Sequence, residues 1–121
     1  MNDQEDDMQF MYIIWEDPSV ASSTEARDQA MEAMDPYIRE LAAKGKYKGS
    51  GPLRAEAEGA KVRSKGGEVK VAGGPFSTTS DSVGGYLVIE AASQAEAIEL
   101  AKTCPGIERG AVEIREIIPL G

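Results

Sequence analysis

The chain has 121 residues, of which 41% are hydrophobic and 28% are charged, and its formal net charge is −8. This length suits one domain with one modest core, and this composition points away from disordered and membrane-embedded proteins. The negative charge disfavours unspecific binding to nucleic acid or anionic lipid, because both are polyanions.

The N-terminal residues, 1–8, form a polar, acidic segment that we expect to be disordered. This segment lacks the basic start of a signal peptide, and no apolar run approaches the roughly 20 residues that a membrane helix needs. The single cysteine, Cys104, cannot form a disulfide within the chain. These features predict a cytoplasmic protein with a folded domain over residues 9–118 and a C-terminal tail, 119–121.

The first strand and the first helix are predicted from apolar patterns. Residues Gln9 to Trp15 form a near-continuous apolar run of strand length, which is typical of a strand covered on both faces. Ser22 and Glu25 then match a capping box, and apolar residues recur at steps of three and four until Gly45 ends the pattern. The sequence therefore predicts a strand followed by an amphipathic helix.

Pro36 interrupts this helical pattern, because a proline inside a helix removes an amide donor and clashes with the preceding turn. Asp35 and Pro36 are also a good capping and first-turn pair. We therefore expect the helix to bend or restart at this point, with the Asp35 side chain capping it or turned towards a cavity.

The second half of the chain completes an α+β pattern. A short strand ends at Gly51-Pro52, and two valine-bearing arms around Gly66-Gly67 predict a β-hairpin. A buried strand, a short helix with a capping box and an alternating last strand follow, and they correspond to "GGYLVIEA", to Ser93 with Glu96, and to Gly110–Ile118. Without the hairpin the order is βαββαβ, which is the ferredoxin-like arrangement.

Several segments together carry a family resemblance over Gln9 to Ile118. They are "FMYIIWEDP", "GSGPL", "KVR" with "GEVKVAGGPF", "GGYLVIEAASQAEAIELAKTCP" and "GAVEIR". In this order and spacing they resemble the DGPF branch of the YCII-related family. The resemblance implies a ferredoxin-like subunit that pairs through its sheet into a dimeric α+β barrel, and hence a homodimer.

The resemblance implies less about function. In the YCII branch a helix histidine with an aspartate has been suggested as a catalytic pair, and one relative is a dehydrochlorinase of chlorinated hydroxyquinol-type compounds. DGPF members are often neighbours of sigma-factor genes, which implies a regulatory link by analogy only. This chain contains no histidine, so histidine acid/base chemistry and histidine metal sites are excluded for it. No cofactor or metal is predicted.

The signature loop departs from the family pattern. Where the family has Asp-Gly-Pro-Phe and then a stretch with carboxylates and a lysine, this chain has Gly73-Gly74-Pro75-Phe76 followed by Ser77, Thr78, Thr79, Ser80 and Asp81. One reading is structural: a tight turn anchored by Phe76, with hydroxyls bonded to loop amides. In the other reading the hydroxyls and glycine amides bind an anion or an oxygenated small molecule. The predicted ligand-binding residues are therefore Trp15, Arg63, Phe76, Ser77, Thr78 and Thr79.

Two functions from different classes remain open. The first is a small-molecule-binding or regulatory accessory protein without catalysis, which the loss of histidine and of the loop carboxylates favours. The second is an enzyme of the dimeric-barrel kind that acts on a small hydrophobic or aromatic compound, with Asp35, Glu16 or Tyr37 as the acid/base. A deep pocket between the sheet and the first helix that holds a desolvated carboxylate would favour the enzyme, and a filled core would favour the accessory protein.

Overall fold

The structure is a computed structural model that describes residues 8–18, 23–74 and 81–120. Its strands are β1 (Met8–Glu16), β2 (Tyr47–Pro52), β3 (Ala60–Lys65), β4 (Glu68–Gly73), β5 (Ser82–Ala91) and β6 (Gly110–Ile117). Its helices are α1 (Thr24–Ala43) and α2 (Gln94–Ala101), and short 3-10 helices cover Glu56–Glu58 and Pro105–Glu108. The first strand thus begins at Met8, one residue earlier than predicted.

Four of the strands form one antiparallel sheet in the order β2-β5-β1-β6. Strands β3 and β4 pair with each other as a separate two-stranded sheet. Without that hairpin, the first strand lies between the third and the fourth, and the second lies at an edge. This is the split βαβ order of a ferredoxin-like fold, and it confirms the predicted fold class.

The core lies between one face of the four-stranded sheet and the two helices. Because side chains alternate along a strand, Phe10 and Tyr12 of β1 and Leu87 and Ile89 of β5 point to the same side, where all four are almost completely buried. Leu41 of α1 belongs to the same cluster. None of the helices described is long and apolar enough to cross a membrane.

Both helices begin at a serine cap. The Ser93 Oγ accepts a hydrogen bond from the Glu96 amide, as the predicted capping box requires. The Glu96 Oε1 accepts a hydrogen bond at 2.7 Å from the amide of Ala92, one residue before the cap. In α1 the cap is Ser23, whose Oγ accepts from the Ala26 amide at 3.0 Å. The predicted cap was one residue too early, and Ser22 itself lies outside the described residues.

Helix α1 continues without a break through Pro36, from Thr24 to Ala43. The predicted restart at Asp35-Pro36 is therefore wrong. The proline removes one amide donor, but the apolar stripe on both sides of it packs against the same sheet, and burial of that stripe keeps the helix in one piece.

The β3–β4 hairpin has the predicted turn. Lys65 and Glu68 form its last register pair, and Gly66 and Gly67 between them have φ angles of 62° and 84°. Two consecutive positive φ angles are those of a type I′ turn, which side chains other than glycine or asparagine rarely adopt. The Gly-Gly pair thus fixes the register of the hairpin.

Candidate functional site

A cavity of about 190 Å³ lies between α1 and the helix-covered face of the sheet. Side chains from one stripe of α1 form one wall, and strands β1, β2 and β5 form the other. The apolar lining residues are Ile14, Ala30, Met31, Met34, Ile38, Pro52 and Leu87. Several glycines of β2 and β5 also line the cavity, and their lack of side chains leaves space on the sheet side.

Glu16 brings a carboxylate into this cavity from the end of β1. The pairing of β1 with β5 shifts register between Ile14 and Trp15, so that Gly84 becomes the extra residue of a β-bulge. A Cβ built on Gly84 would lie 2.1 Å from the Glu16 Cδ, so only glycine leaves room for this carboxylate. The bulge therefore positions the half-buried Glu16 side chain.

Arg27 of α1 lines the cavity from the side of β2. One of its terminal nitrogens donates to the carbonyl oxygen of Leu53, and the Leu53 amide donates to the Gly84 carbonyl at 2.9 Å. This chain of bonds ties the first turns of α1 to the bulge in β5. A guanidinium carries five N–H donors, so one bond to a carbonyl leaves others for a ligand.

Arg109 lines the cavity from the segment that precedes β6. Its Nη1 donates to the Pro105 carbonyl at 3.2 Å, and its own carbonyl accepts from the Asp17 amide at 2.9 Å. The second bond holds Arg109 beside the end of β1, one residue after Glu16. Among the described residues, the charged side chains of the cavity lining are thus two arginines and one glutamate, and their net charge is positive.

Tyr37, the predicted tyrosine acid/base, lies in the core. Its side chain is buried, and its hydroxyl donates to the Leu100 carbonyl at 2.6 Å. Burial raises its pKa far above the usual range, and burial also raises the pKa of the neighbouring Tyr12 to about 12. Tyr37 does not line the cavity, and it stabilises the packing of α1 on α2.

Asp35 is exposed on α1 and forms an ion pair with Arg39 at 2.9 Å, one helical turn further on. It does not line the cavity. Both side chains are more than half exposed, so this is an ordinary surface pair along a helix. Of the three predicted acid/base residues, the structure places only Glu16 in the cavity.

Two of the six predicted ligand-binding residues, Trp15 and Arg63, lie among the described residues, and neither lines the cavity. Trp15 lies on the sheet face opposite the helices, where its Nε1 donates to Glu113 at 2.9 Å, and Glu113 also pairs with Arg115 at 3.8 Å. Arg63 faces Lys70 across the hairpin and does not line the cavity. The loop residues Phe76, Ser77, Thr78 and Thr79 lie outside the described residues.

Three residues of the cavity escaped the sequence analysis: Arg27, Arg109 and Gly84. The arginines are far apart in the chain, and no motif links them. Gly84 carried a usable signal, because a glycine pair inside an apolar strand often marks a bulge or a close approach of another group. Within the described ranges, no cluster of three or more acidic or cysteine side chains is arranged to hold a metal ion.

The fold and the cavity define a small α+β protein with a split βαβ core. A model of the YCII-related domain matches residues 8–121. The chain therefore belongs to the YCII-related family, in agreement with the resemblance read from its sequence. A search of curated proteins gives no match.

One solved structure shares the fold over almost the whole chain. It is the 5-chloro-2-hydroxyhydroquinone dehydrochlorinase from Burkholderia phenoliruptrix, in complex with 2,5-dihydroxybenzoquinone. The TM-score is 0.55 at 19% sequence identity, and the match covers 92% of this chain and 94% of that one. At this identity the similarity establishes a common fold.

Proposed function

We propose that the protein binds a small, single-ring molecule with an anionic oxygen in the cavity between α1 and the sheet. In this proposal it acts as a ligand-binding or regulatory accessory protein of the YCII-related family. The observation that carries the proposal is the grouping of Arg27, Arg109 and Glu16 beside an apolar wall.

The size of the cavity supports a ligand with one ring. An engineered apolar cavity of about 150 Å³ is large enough for benzene, and this cavity measures about 190 Å³. Methionine and isoleucine side chains on the wall suit the flat face of a ring, because they offer apolar surface and methionine adapts its shape.

The charge of the cavity supports an anion. Hydrogen bonds between a guanidinium and an anionic oxygen are shorter and stronger than neutral ones. Both arginines are already tied to backbone carbonyls, so less side-chain entropy is lost when a ligand binds. The Glu16 carboxylate would accept a hydrogen bond from a hydroxyl of the same ligand.

Calorimetric titration with 2,5-dihydroxybenzoate and with its neutral amide tests the proposal. We expect the acid to bind more tightly than the amide by about tenfold or more. Arg27→Gln or Arg109→Gln should lower the affinity for the acid by about the same factor. Arg39→Gln, on the exposed side of α1, is the matched control. Equal affinities for acid and amide, or equal losses in the control, would contradict the proposal.

A second function is an enzyme that uses Glu16 as a base, and two observations favour it. The carboxylate shares its cavity with the two arginines, and the protein with the same fold is a dehydrochlorinase. In such a reaction one hydroxyl of a chlorinated hydroxyquinol loses its proton as a proton adds to the chlorine-bearing ring carbon, which gives a keto tautomer. The carboxylate then takes a second hydroxyl proton while chloride leaves that carbon with the C–Cl electron pair, and a hydroxybenzoquinone results. The net change is loss of HCl, and no oxidant is needed.

Chloride release from 5-chloro-2-hydroxyhydroquinone separates the two functions. If the protein only binds its ligand, the release rate equals that of the uncatalysed reaction. If Glu16 is the base, Glu16→Gln lowers the rate by about 10²-fold or more and leaves the affinity for 2,5-dihydroxybenzoate nearly unchanged.

We further propose that the protein is a homodimer that pairs through the sheet face opposite the helices. On that face lie apolar side chains of the central strands, among them Met11, Ile13, Tyr86 and Val88, and no described helix covers them. Light scattering should report about twice the 12.9 kDa mass of one chain. A monomer at micromolar concentration would contradict this part of the proposal.

A further inference from the structure

The β3–β4 hairpin, residues Ala60–Gly73, is an arm with two unlike faces. The register pairs Val62 with Val71 and Ser64 with Val69, and alternation along both strands places these four side chains on one face. The opposite face carries the ionic side chains Lys61, Arg63, Lys65, Glu68 and Lys70. The arm is thus apolar on one side and basic on the other.

The apolar face of the arm is uncovered. Val62, Val69 and Val71 are 64%, 70% and 69% exposed, although valine is one of the residues most often buried. Within the described ranges the arm pairs with no strand of the main sheet. Isolated two-stranded hairpins are marginally stable in water, so this arm gains stability if its valine face meets another apolar surface.

The open face of the main sheet also carries apolar side chains, which lie beside the ion pair of Glu113 and Arg115. Met11 of β1, Val88 of β5 and Ile117 of β6 lie on it, and Tyr86 is 36% exposed there. Both uncovered faces therefore occur in one chain, on separate elements.

Charge favours a second copy of this chain as the partner. The arm has four cations against one glutamate, a net charge of +3, which leaves −11 on the remainder of the chain. The arm of one copy is therefore attracted to the body of another. In a two-fold symmetric pair each body receives one arm. The valine face of the arm and the open sheet face are then covered in both subunits.

We infer that the valine face of the arm of one subunit packs against the open sheet face of the other subunit in the homodimer. This inference rests on the proposed homodimer and specifies its contacts. It makes Ala60–Gly73 the element that holds the two subunits together.

Solution mass tests the role of the valines. Replacing Val62, Val69 and Val71 together with threonine keeps the β-propensity of the arm and removes its apolar face. We expect the dimer dissociation constant to rise by about tenfold or more. A matched control exchanges cations on the opposite face at constant charge: Lys61→Arg, Arg63→Lys and Lys65→Arg. An unchanged dissociation constant in the valine variant, or an equal rise in the control, would overturn the inference.

Crosslinking tests the contact without relying on an altered dissociation constant. A photoreactive residue replaces Val71, and unlabelled subunits are mixed with ¹⁵N-labelled subunits before crosslinking. The inference predicts crosslinks from the arm of one isotope to residues 8–16 or 82–91 of the other. Arm crosslinks confined to pairs of one isotope, crosslinks to the exposed Ile118–Leu120 segment, or no crosslinks at all would overturn it. A monomeric wild-type protein would also refute the homodimer, whereas a dimer crosslinked elsewhere would refute the arm contact alone.

Discussion

The carboxylate of Glu16 occupies the space where any side chain at position 84 would begin. A Cβ on Gly84 would lie 2.1 Å from both the Cδ and the Oε1 of Glu16. These atoms form the end of a flexible side chain, so an added methyl group can displace them at small cost. The relationship links a β-bulge to the position of the carboxylate that the described residues place in the cavity lining.

Gly84→Ala is therefore expected to alter the cavity with little loss of stability. The displaced Glu16 would enter the space proposed for the ligand, so affinity for 2,5-dihydroxybenzoate should fall by about fivefold or more, while the free energy of unfolding changes by less than about 1 kcal/mol. Calorimetry and urea denaturation measure the two quantities. Gly49→Ala, where an added Cβ meets nothing within 4 Å, is the control. Unchanged affinity in Gly84→Ala would show that the ligand does not use this space.

Gly110→Ala, unlike Gly84→Ala, should lower the stability of the protein strongly. Its Cβ would lie 2.0 Å from the backbone carbonyl oxygen of Trp15, and a backbone atom of a paired strand cannot move aside like a side-chain end. We expect the free energy of unfolding to fall by about 2–4 kcal/mol, measured by urea denaturation against the same Gly49→Ala control. A loss as small as that of Gly84→Ala would mean that β6 can shift along β1.

Asp35→Asn should affect neither stability nor binding appreciably. The ion pair with Arg39 is exposed and joins residues four apart on one helix, an interaction that contributes about 0.5 kcal/mol or less. Thermal unfolding and calorimetric titration with 2,5-dihydroxybenzoate measure the two effects. A large loss of affinity would return Asp35 to the set of ligand-binding residues.

The protein should lose stability at alkaline pH because of its buried tyrosines. The pKa of Tyr12 rises from 10.0 to about 12 on folding, and burial raises that of Tyr37 as well. Above pH 10 the unfolded chain releases these protons while the folded chain retains them, so stability that is full below pH 10 declines as pH rises towards 12. Each tyrosine contributes about 1.4 kcal/mol per pH unit in that window.

Tyr12→Phe and Tyr37→Phe test this alkaline decline separately. Each removes one titrating group and also one hydrogen bond to a carbonyl, of Ala97 or of Leu100. The variants should be less stable at pH 7, and their stability should fall less steeply above pH 10. Tyr86→Phe is a control, because Tyr86 is more than one-third exposed. A decline as steep in both core variants as in the wild type would contradict the assignment.

The order of the elements could be predicted from the sequence, because that order depends on local signals. The Gly66-Gly67 turn, the serine cap at Ser93 and the alternation in β6 act over a few residues. Tyr37 is an example of what such local signals do not predict. Its helical spacing indicated that it lies on the buried face of α1, but the spacing did not indicate whether its hydroxyl would line a cavity or bond to a carbonyl. The cavity depends on packing between distant residues, and no periodicity brings Arg27 and Arg109 together.

The location of a bound ligand tests the central claim most directly. In ¹H–¹⁵N correlation spectra of the wild-type protein, titration with 2,5-dihydroxybenzoate should shift the amides of the cavity lining, with the largest changes at Gly51, Gly84, Gly85 and Gly106. Saturable shifts at these glycines are the predicted result. Shifts concentrated in the Ala60–Gly73 arm, or no saturable shifts at the four glycines, would contradict the claim that this cavity is the ligand site.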